Sequence, residues 1–171
     1  LPDSSFNPPP GVTTDLVSEN SRFRLNGRFG TVIDFDEEGR ISTWTDIDNN
    51  TMIFSYNNDK LNTVQDAFGR TLTLGYSGEL LTSVSDSTGR TVSYGYTSEQ
   101  LTSHTDLEQK GWQYGYDQGG RHLLTTLANP QGTTTALNTY DALDRVDTQT
   151  VKRQNPDGSL YDVTYNLYFS G

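Results

Sequence analysis

Cysteine is absent from all 171 residues. That excludes a disulfide scaffold, thiolate metal sites and a cysteine nucleophile. Lys and Arg together number 12 against 22 Asp and Glu, for a net charge of −10. A nucleic-acid groove needs clustered cations to displace counterions, so this surface repels phosphate, and the same charge argues against an anionic membrane. Hydrophobic residues are only 32% of the chain, below the ~45–50% usual for globular domains even allowing for Gly in that figure. No stretch approaches the ~20 apolar residues of a transmembrane helix, and nothing near Leu1 reads as a signal peptide. Helix signals are nearly missing too. What remains is rich in turns and rings: 16 Gly and 10 Tyr among many Thr and Ser. Such a chain folds more readily as a thin layer than around a thick core.

Self-similarity at a fixed period is decisive for such sequences, and here the period is twenty. Asp46, Asp66, Asp86 and Asp106 form one column, and Ile41, Leu61, Leu81 and Leu101 another. Tyr56, Tyr76, Tyr96 and Tyr116 form a third, Phe54, Leu74, Tyr94 and Tyr114 a fourth. Met52, Leu72, Val92 and Trp112 are a fifth, and Trp44, Val64, Val84 and His104 a sixth.

Within a unit, Leu72, Leu74 and Tyr76 alternate with Thr71, Thr73 and Gly75, the period-two pattern of a half-buried strand. Ser77-Gly78-Glu79 reads as a hairpin turn, and Leu80 to Val84 as a short second strand. Leu81 and Val84 are three apart, so both face inward only if the strand carries a bulge or ends one-sidedly. Asp-x-x-Gly closes the unit, with Asp able to cap the turn and Gly to take a positive φ. The fold class expected is all-β: an open, spiralling antiparallel sheet of ~20-residue hairpins. Residues 1–20, with Asn7-Pro8-Pro9-Pro10-Gly11, read as an extended arm or linker. Residues 21–171 form the hairpin array, regular over 41–116 and irregular with longer hairpins over 117–171. One of these is set by Asn155-Pro156-Asp157-Gly158.

Several features resemble RHS or YD-repeat proteins. They are the Gly-Arg pairs at 39–40, 69–70, 89–90 and 120–121, the Tyr-x-Tyr units, Leu-Thr-Ser-Val-x-Asp, and Tyr140-Asp141-x-Leu-x-Arg145-Val146. The resemblance covers about residues 30–150. It implies a spiralling β-shell, as in bacterial polymorphic toxins, the enclosing component of Tc toxins and teneurin barrels. It further implies a structural or encapsulating role in a secreted or cell-surface protein. The self-cleaving aspartyl protease motif of some members has no match here, so autoproteolysis is not carried over.

Candidate chemistry is weighed against architecture. The Asp column (Asp46, Asp66, Asp86, Asp106) offers oxygen ligands for Ca²⁺, but equivalent residues two strands apart stand ~10 Å from each other, beyond the ~2.3–2.6 Å reach of one ion. Turn capping is the simpler expectation. The Tyr column (Tyr56, Tyr76, Tyr96, Tyr116) suits stacking on an extended glycan, yet a packed aromatic layer is the default. The Arg after each Gly is expected to form an ion pair or lie on the Tyr rings. His104 fills an apolar slot and His122 a turn, with no nucleophile elbow nearby. The expectation is therefore no enzyme, no cofactor and no resident metal. The leading function is a segment of an encapsulating shell. The alternatives are a self-assembling surface fibre or adhesion subunit and a polysaccharide-binding module. Expected partners are other copies or the rest of a longer chain through the sheet edges, with a glycan or surface partner as the alternative, and neither nucleic acid nor membrane insertion.

Overall fold

The computed structural model describes residues 4–6, 9–19 and 21–169. Among them are sixteen strands and a single short 3-10 turn at Arg28–Gly30. The strands are β1 (Ser4–Phe6), β2 (Asp15–Glu19), β3 (Arg22–Asn26), β4 (Val32–Phe35), β5 (Ile41–Thr45), β6 (Thr51–Asn57), β7 (Lys60–Gln65) and β8 (Thr71–Ser77). They continue as β9 (Leu80–Asp86), β10 (Thr91–Thr97), β11 (Gln100–Thr105), β12 (Gly111–Tyr116), β13 (Leu124–Ala128), β14 (Thr134–Tyr140), β15 (Val146–Gln154) and β16 (Leu160–Asn166). They follow one another in chain order through one all-β sheet, antiparallel at every registered pair. The chain divides into two compact units, residues 1–75 with 84–90, and residues 76–83 with 91–171.

The first unit shows how columns become rows. Ile33 lies opposite Trp44, and Trp44 opposite Met52. Phe54 lies opposite Val64, and Val64 opposite Leu72. Because alternate side chains share a face, these residues form one apolar surface, while Ser55, Thr63 and Thr73 pair across the other. The second unit repeats the arrangement with Tyr94, His104 and Trp112, then with Tyr114, Leu127, Ala136, Val151 and Val163. Such cross-strand pairs contribute ~0.2–1 kcal/mol each, so the layer is held by repetition. No described residue is fully buried. Even on the apolar face Trp44 is 42% and Leu72 46% exposed.

The three-residue spacing of the second strand is resolved by a bulge in every registered long-short hairpin. Opposite Asp34 and Phe35 stand Thr43 and Ile41, leaving Ser42 extra. Asn62, Thr102, Thr125 and Asp147 are extra in the same way. The bulge returns Leu61 and Val64, or Leu101 and His104, to one face. The Thr102 hydroxyl donates to the Gly95 carbonyl at 3.3 Å, and Ser42 to Asp34 at 3.1 Å. Deleting Thr102 is expected to leave Leu101 opposite Tyr96 with both faces intact, because only the surplus residue goes. The hydroxyl bond and the bulge's free carbonyl are lost. Stability should fall by about 2 kcal/mol, two hydrogen bonds at ~1 kcal/mol each, with an unchanged m-value in urea. A changed m-value would mean that the register had slipped instead.

Two features differ from the sequence reading. Residues 1–20, read as an arm from their prolines, hold β1 and β2, and Leu16 and Val17 pair with Leu25 and Arg24 of β3. Proline composition masked a short apolar strand that needs a neighbour to declare itself. Tight hairpin turns also manage without glycine. Asn58 and Asp59 have φ of 46° and 59°, and Ser98 and Glu99 have 48° and 67°, the paired positive φ of a type I′ turn whose twist suits the flanking strands.

Candidate functional site

The repeated polar constellation is the Asp turn. In Asp86 to Arg90, Asp86 Oδ1 accepts the backbone N–H of Thr88 at 2.9 Å and of Arg90 at 3.0 Å. It also accepts the Thr88 hydroxyl at 2.7 Å, while Oδ2 accepts Arg90 Nε at 2.7 Å. Asp66 grips Phe68 and Arg70 in the same way. Asp46 holds Asp48 and Asn50, and Asp106 holds Glu108 and Lys110. Asp36 and Asp141 lie outside the strict period yet make the identical turn with Arg40 and Arg145. Asn129 substitutes for Asp, its Oδ1 accepting from Gln131 and Thr133. The Asp column is therefore occupied with its own backbone, and no cluster of three metal-ligating side chains exists among the described residues.

Electrostatics follow from those donors. The Thr88 hydroxyl, then Arg90 and two backbone N–H groups, hold the Asp86 carboxyl far below the usual range, against the opposing effect of burial. The Asn50 side chain does most to lower Asp46. For Asp36 and Asp66 burial pushes up most strongly as a single cause, but Arg40 and Arg70 with the turn amides together prevail and the net direction is down. Asp117, Asp141 and Asp157 are lowered chiefly by the Leu123 amide, the Arg145 amide and the Ser159 hydroxyl respectively.

Two of the Gly-Arg arginines, Arg40 and Arg70, also lie on rings, as does Arg145 after Asp144. Arg40 pairs with Asp36, Glu38 and Asp59, and its guanidinium sits 4.4 Å from the Tyr56 ring centre. Arg70 lies over Phe68 and Arg145 over Phe169. Arg121 spans Asp117 and Asp144.

The tyrosines join successive hairpins. Tyr56 donates its hydroxyl to the Ile41 carbonyl at 2.9 Å, Tyr96 to Leu81 at 2.8 Å, Tyr116 to Leu101 at 2.8 Å and Tyr140 to Leu124 at 2.6 Å. Ile41, Leu101 and Leu124 each immediately precede a bulge residue. A bulge takes a carbonyl out of the strand ladder, and the tyrosine of the following hairpin satisfies it. Tyr56, Tyr96 and Tyr116 thus commit their hydroxyl donors within the chain. Tyr76 also has an interaction within the chain.

His104 is half-buried and His122 is exposed. His104 Nδ1 lies 2.7 Å from the Tyr114 hydroxyl, and its ring is parallel to Trp112 within 5° at 6.2 Å. His122 Nδ1 meets Gln100 at 2.8 Å. A cleft of about 540 Å³ beside β3 and β4 is crossed by the Arg24–Asp34 and Arg22–Glu37 ion pairs. These set its two arginines against its two carboxylates. The turn arginines were legible from the Gly-Arg pairs. The tyrosine-to-carbonyl links were not, and neither was the membership of Asp36, Asp117, Asp141 and Asn129, which break the twenty-residue count.

No curated protein matches the chain. Among solved structures, a porin-like protein from Bacteroides uniformis aligns with a TM-score of 0.34 and 11% identity, over 92% of this chain. The alignment spans 56% of that protein's own chain. The family profile Teneurin YD-shell matches residues 12–167. With its hairpins, Asp turns and tyrosine links spread over that same span, the chain belongs to the teneurin YD-shell family.

Proposed function

We propose that the chain is a wall segment of an encapsulating β-shell in a secreted or cell-surface protein. A structural shell-type role is the property of the family. The observation that carries the finer reading is the sheet's one-sidedness without a core. An apolar face of rings and aliphatic residues runs along each unit, no described residue is fully buried, and the recurrent Asp, Arg and Tyr groups are spent on turns and hairpin links. A wall that encloses a protected volume needs this construction: a stiff layer, polar outside and apolar inside. An enzyme would need groups left unspent at a cleft, and the histidines and carboxylates described above are satisfied by their neighbours. Electron cryomicroscopy of the protein that carries this chain tests the proposal. The expected image is a curved sheet around a cavity, with Trp44 and Tyr94 on the concave side. The same residues lying flat against a solid neighbouring domain would overturn it.

A further inference from the structure

The turn arginines divide by what their outer edge meets. Arg40 gives Nε to Asp36 of its own turn at 2.8 Å, and Nη1 to Asp59 of the next turn along the same end of the strands at 3.0 Å. Arg121 does the same with Asp117 and with Asp144, the latter at 2.6 Å. Each guanidinium thus holds two carboxylates, one local and one from a neighbouring hairpin. Arg70 and Arg90 make only the local half. Nε of each meets Asp66 or Asp86, at 2.6 and 2.7 Å. Among the described residues neither Nη1 has a partner. Their side chains are 75% and 64% exposed, against 27% for Arg40. The sequence explains the difference. Asp144 is the fourth residue of its turn, and the fourth residue of the turn that follows Arg70 on its end of the strands is Gly89.

Both ion pairs, Asp66–Arg70 and Asp86–Arg90, line one cleft of about 310 Å³ that lies wholly within the first unit, floored by Met52, Val64 and Leu72. A second cleft of about 240 Å³ shares Met52, Asp66 and Arg70 with it and adds the rings of Trp44 and Phe68, which are 42% and 78% exposed. We propose that this groove binds a carboxylated polysaccharide, a chain of uronic acid residues. Its carboxylates meet the outer edges of Arg70 and Arg90, and the C–H faces of its sugars lie on Val64, Leu72 and Phe68. The pairs with Asp59 and Asp144 show that this edge of the guanidinium accepts a carboxylate, a charge-assisted contact. Equivalent positions two strands apart stand ~10 Å from each other, so a ligand that reaches both arginines is extended and carries more than one carboxylate. A peptide fits less well. Strands β7 and β8 are paired inside the sheet, and the groove offers no ladder to peptide amides that lose their water. A sugar keeps its hydroxyls in solvent while burying an apolar face. Each arginine is already partly neutralised by its aspartate, and the net charge is −10, which disfavours the denser charge of phosphate or sulfate polymers. The site does not depend on whether the sheet encloses a volume.

Titration calorimetry of the 171-residue chain with short oligogalacturonates is the test. Saturable binding is expected with the free acid. It should be at least tenfold weaker with the methyl ester, which keeps the sugar faces and removes the charge. Gly89→Asp gives Arg70 the carboxylate that Asp144 gives Arg121, and should weaken binding at least tenfold. A Cβ at Gly89 meets nothing within 4 Å, and Asp144 adopts a φ of 60° at the same turn position, so the turn accepts the change. Gly132→Asp, the same substitution in a turn of the second unit, should leave affinity unchanged. Arg70→Asn with Arg90→Asn should abolish binding and keep the turns, because Asn50 already stands at that position and donates to Asp46 at 2.9 Å. Urea midpoints near the parent chain's certify that each variant is folded. Four results would each overturn the proposal: no binding of the free acid, equal binding of the ester, equal effects of Gly89→Asp and Gly132→Asp, or binding of polyglutamate or polyphosphate as tight as that of the oligogalacturonate.

Discussion

Acidification is expected to unfold the chain cooperatively below about pH 3.5, while stability stays level or rises slightly from pH 7 to 4.5. Seven aspartates (Asp36, Asp46, Asp66, Asp86, Asp117, Asp141 and Asp157) have carboxyls held below the ordinary value of 3.8 in the folded chain. A depressed folded-state pKa contributes stability that is complete above the unfolded value and lost as pH falls through the folded one. Self-repulsion acts the other way. The net charge of −10 shrinks as exposed carboxylates protonate near pH 4, which relieves strain in the compact state. Repulsion therefore governs the shallow upper range and the turn carboxylates govern the steep lower one. The decisive comparison replaces Asp36, Asp66, Asp86 and Asp141 by Asn. Asn129 shows that an amide Oδ1 can accept both turn N–H groups, so the turns should survive. The variant loses the arginine pairs at 2.5–2.8 Å. It should be less stable at pH 7 and show a flatter acid limb by circular dichroism. An acid midpoint and slope identical to the parent's would show that the turn carboxylates are not the acid-sensitive groups.

Much of this architecture could be read from residues because it repeats. Leu72, Leu74 and Tyr76 declare a strand and its inward face without any neighbour. The spacing of Leu101 and His104 calls for a bulge or a one-sided strand end, since a regular strand cannot turn both to one side, and the bulge is what forms. Asp-x-x-Gly announces a capped turn because the cap is local, made within four residues. Other features depend on what a neighbouring strand presents. The link from Tyr116 to Leu101 exists only after a bulge has freed that carbonyl and pairing has brought the next hairpin alongside. The strand Asp15–Glu19 has little pattern of its own until β3 supplies partners. Positive φ at Ser98 and Glu99 is imposed by the strands on either side and is not announced by either residue type. The same division applies to the candidate site. Residue types and spacing identified the Asp and Tyr columns, but their hydrogen-bond partners, turn amides for one and carbonyls of the preceding hairpin for the other, appear only in the folded sheet.

Replacing Tyr96, Tyr116 and Tyr140 together by Phe is expected to destabilise the chain by about 3 kcal/mol, at ~1 kcal/mol for each hydroxyl-to-carbonyl bond. The rings stay, so apolar packing is nearly unchanged. What is lost is the donor to the carbonyls of Leu81, Leu101 and Leu124. Tyr96 and Tyr116 stand two strands apart, ~10 Å, far enough for their losses to add. A net stability of ~5–15 kcal/mol is usual, and a sheet without a buried core has reason to lie near the bottom of that range. Three kilocalories would then remove a large share of it. The neighbouring column provides the control. Phe54 and Leu74 already stand where Tyr94 does, so that position has no general need for a hydroxyl, and Tyr94→Phe should change stability by under ~0.5 kcal/mol. Urea unfolding of the triple variant should show a lowered midpoint at constant slope, and hydrogen exchange should quicken first beside the bulges at Thr102 and Thr125. A triple variant as stable as the parent would mean that water satisfies those carbonyls equally well, and that the tyrosine column contributes only its rings.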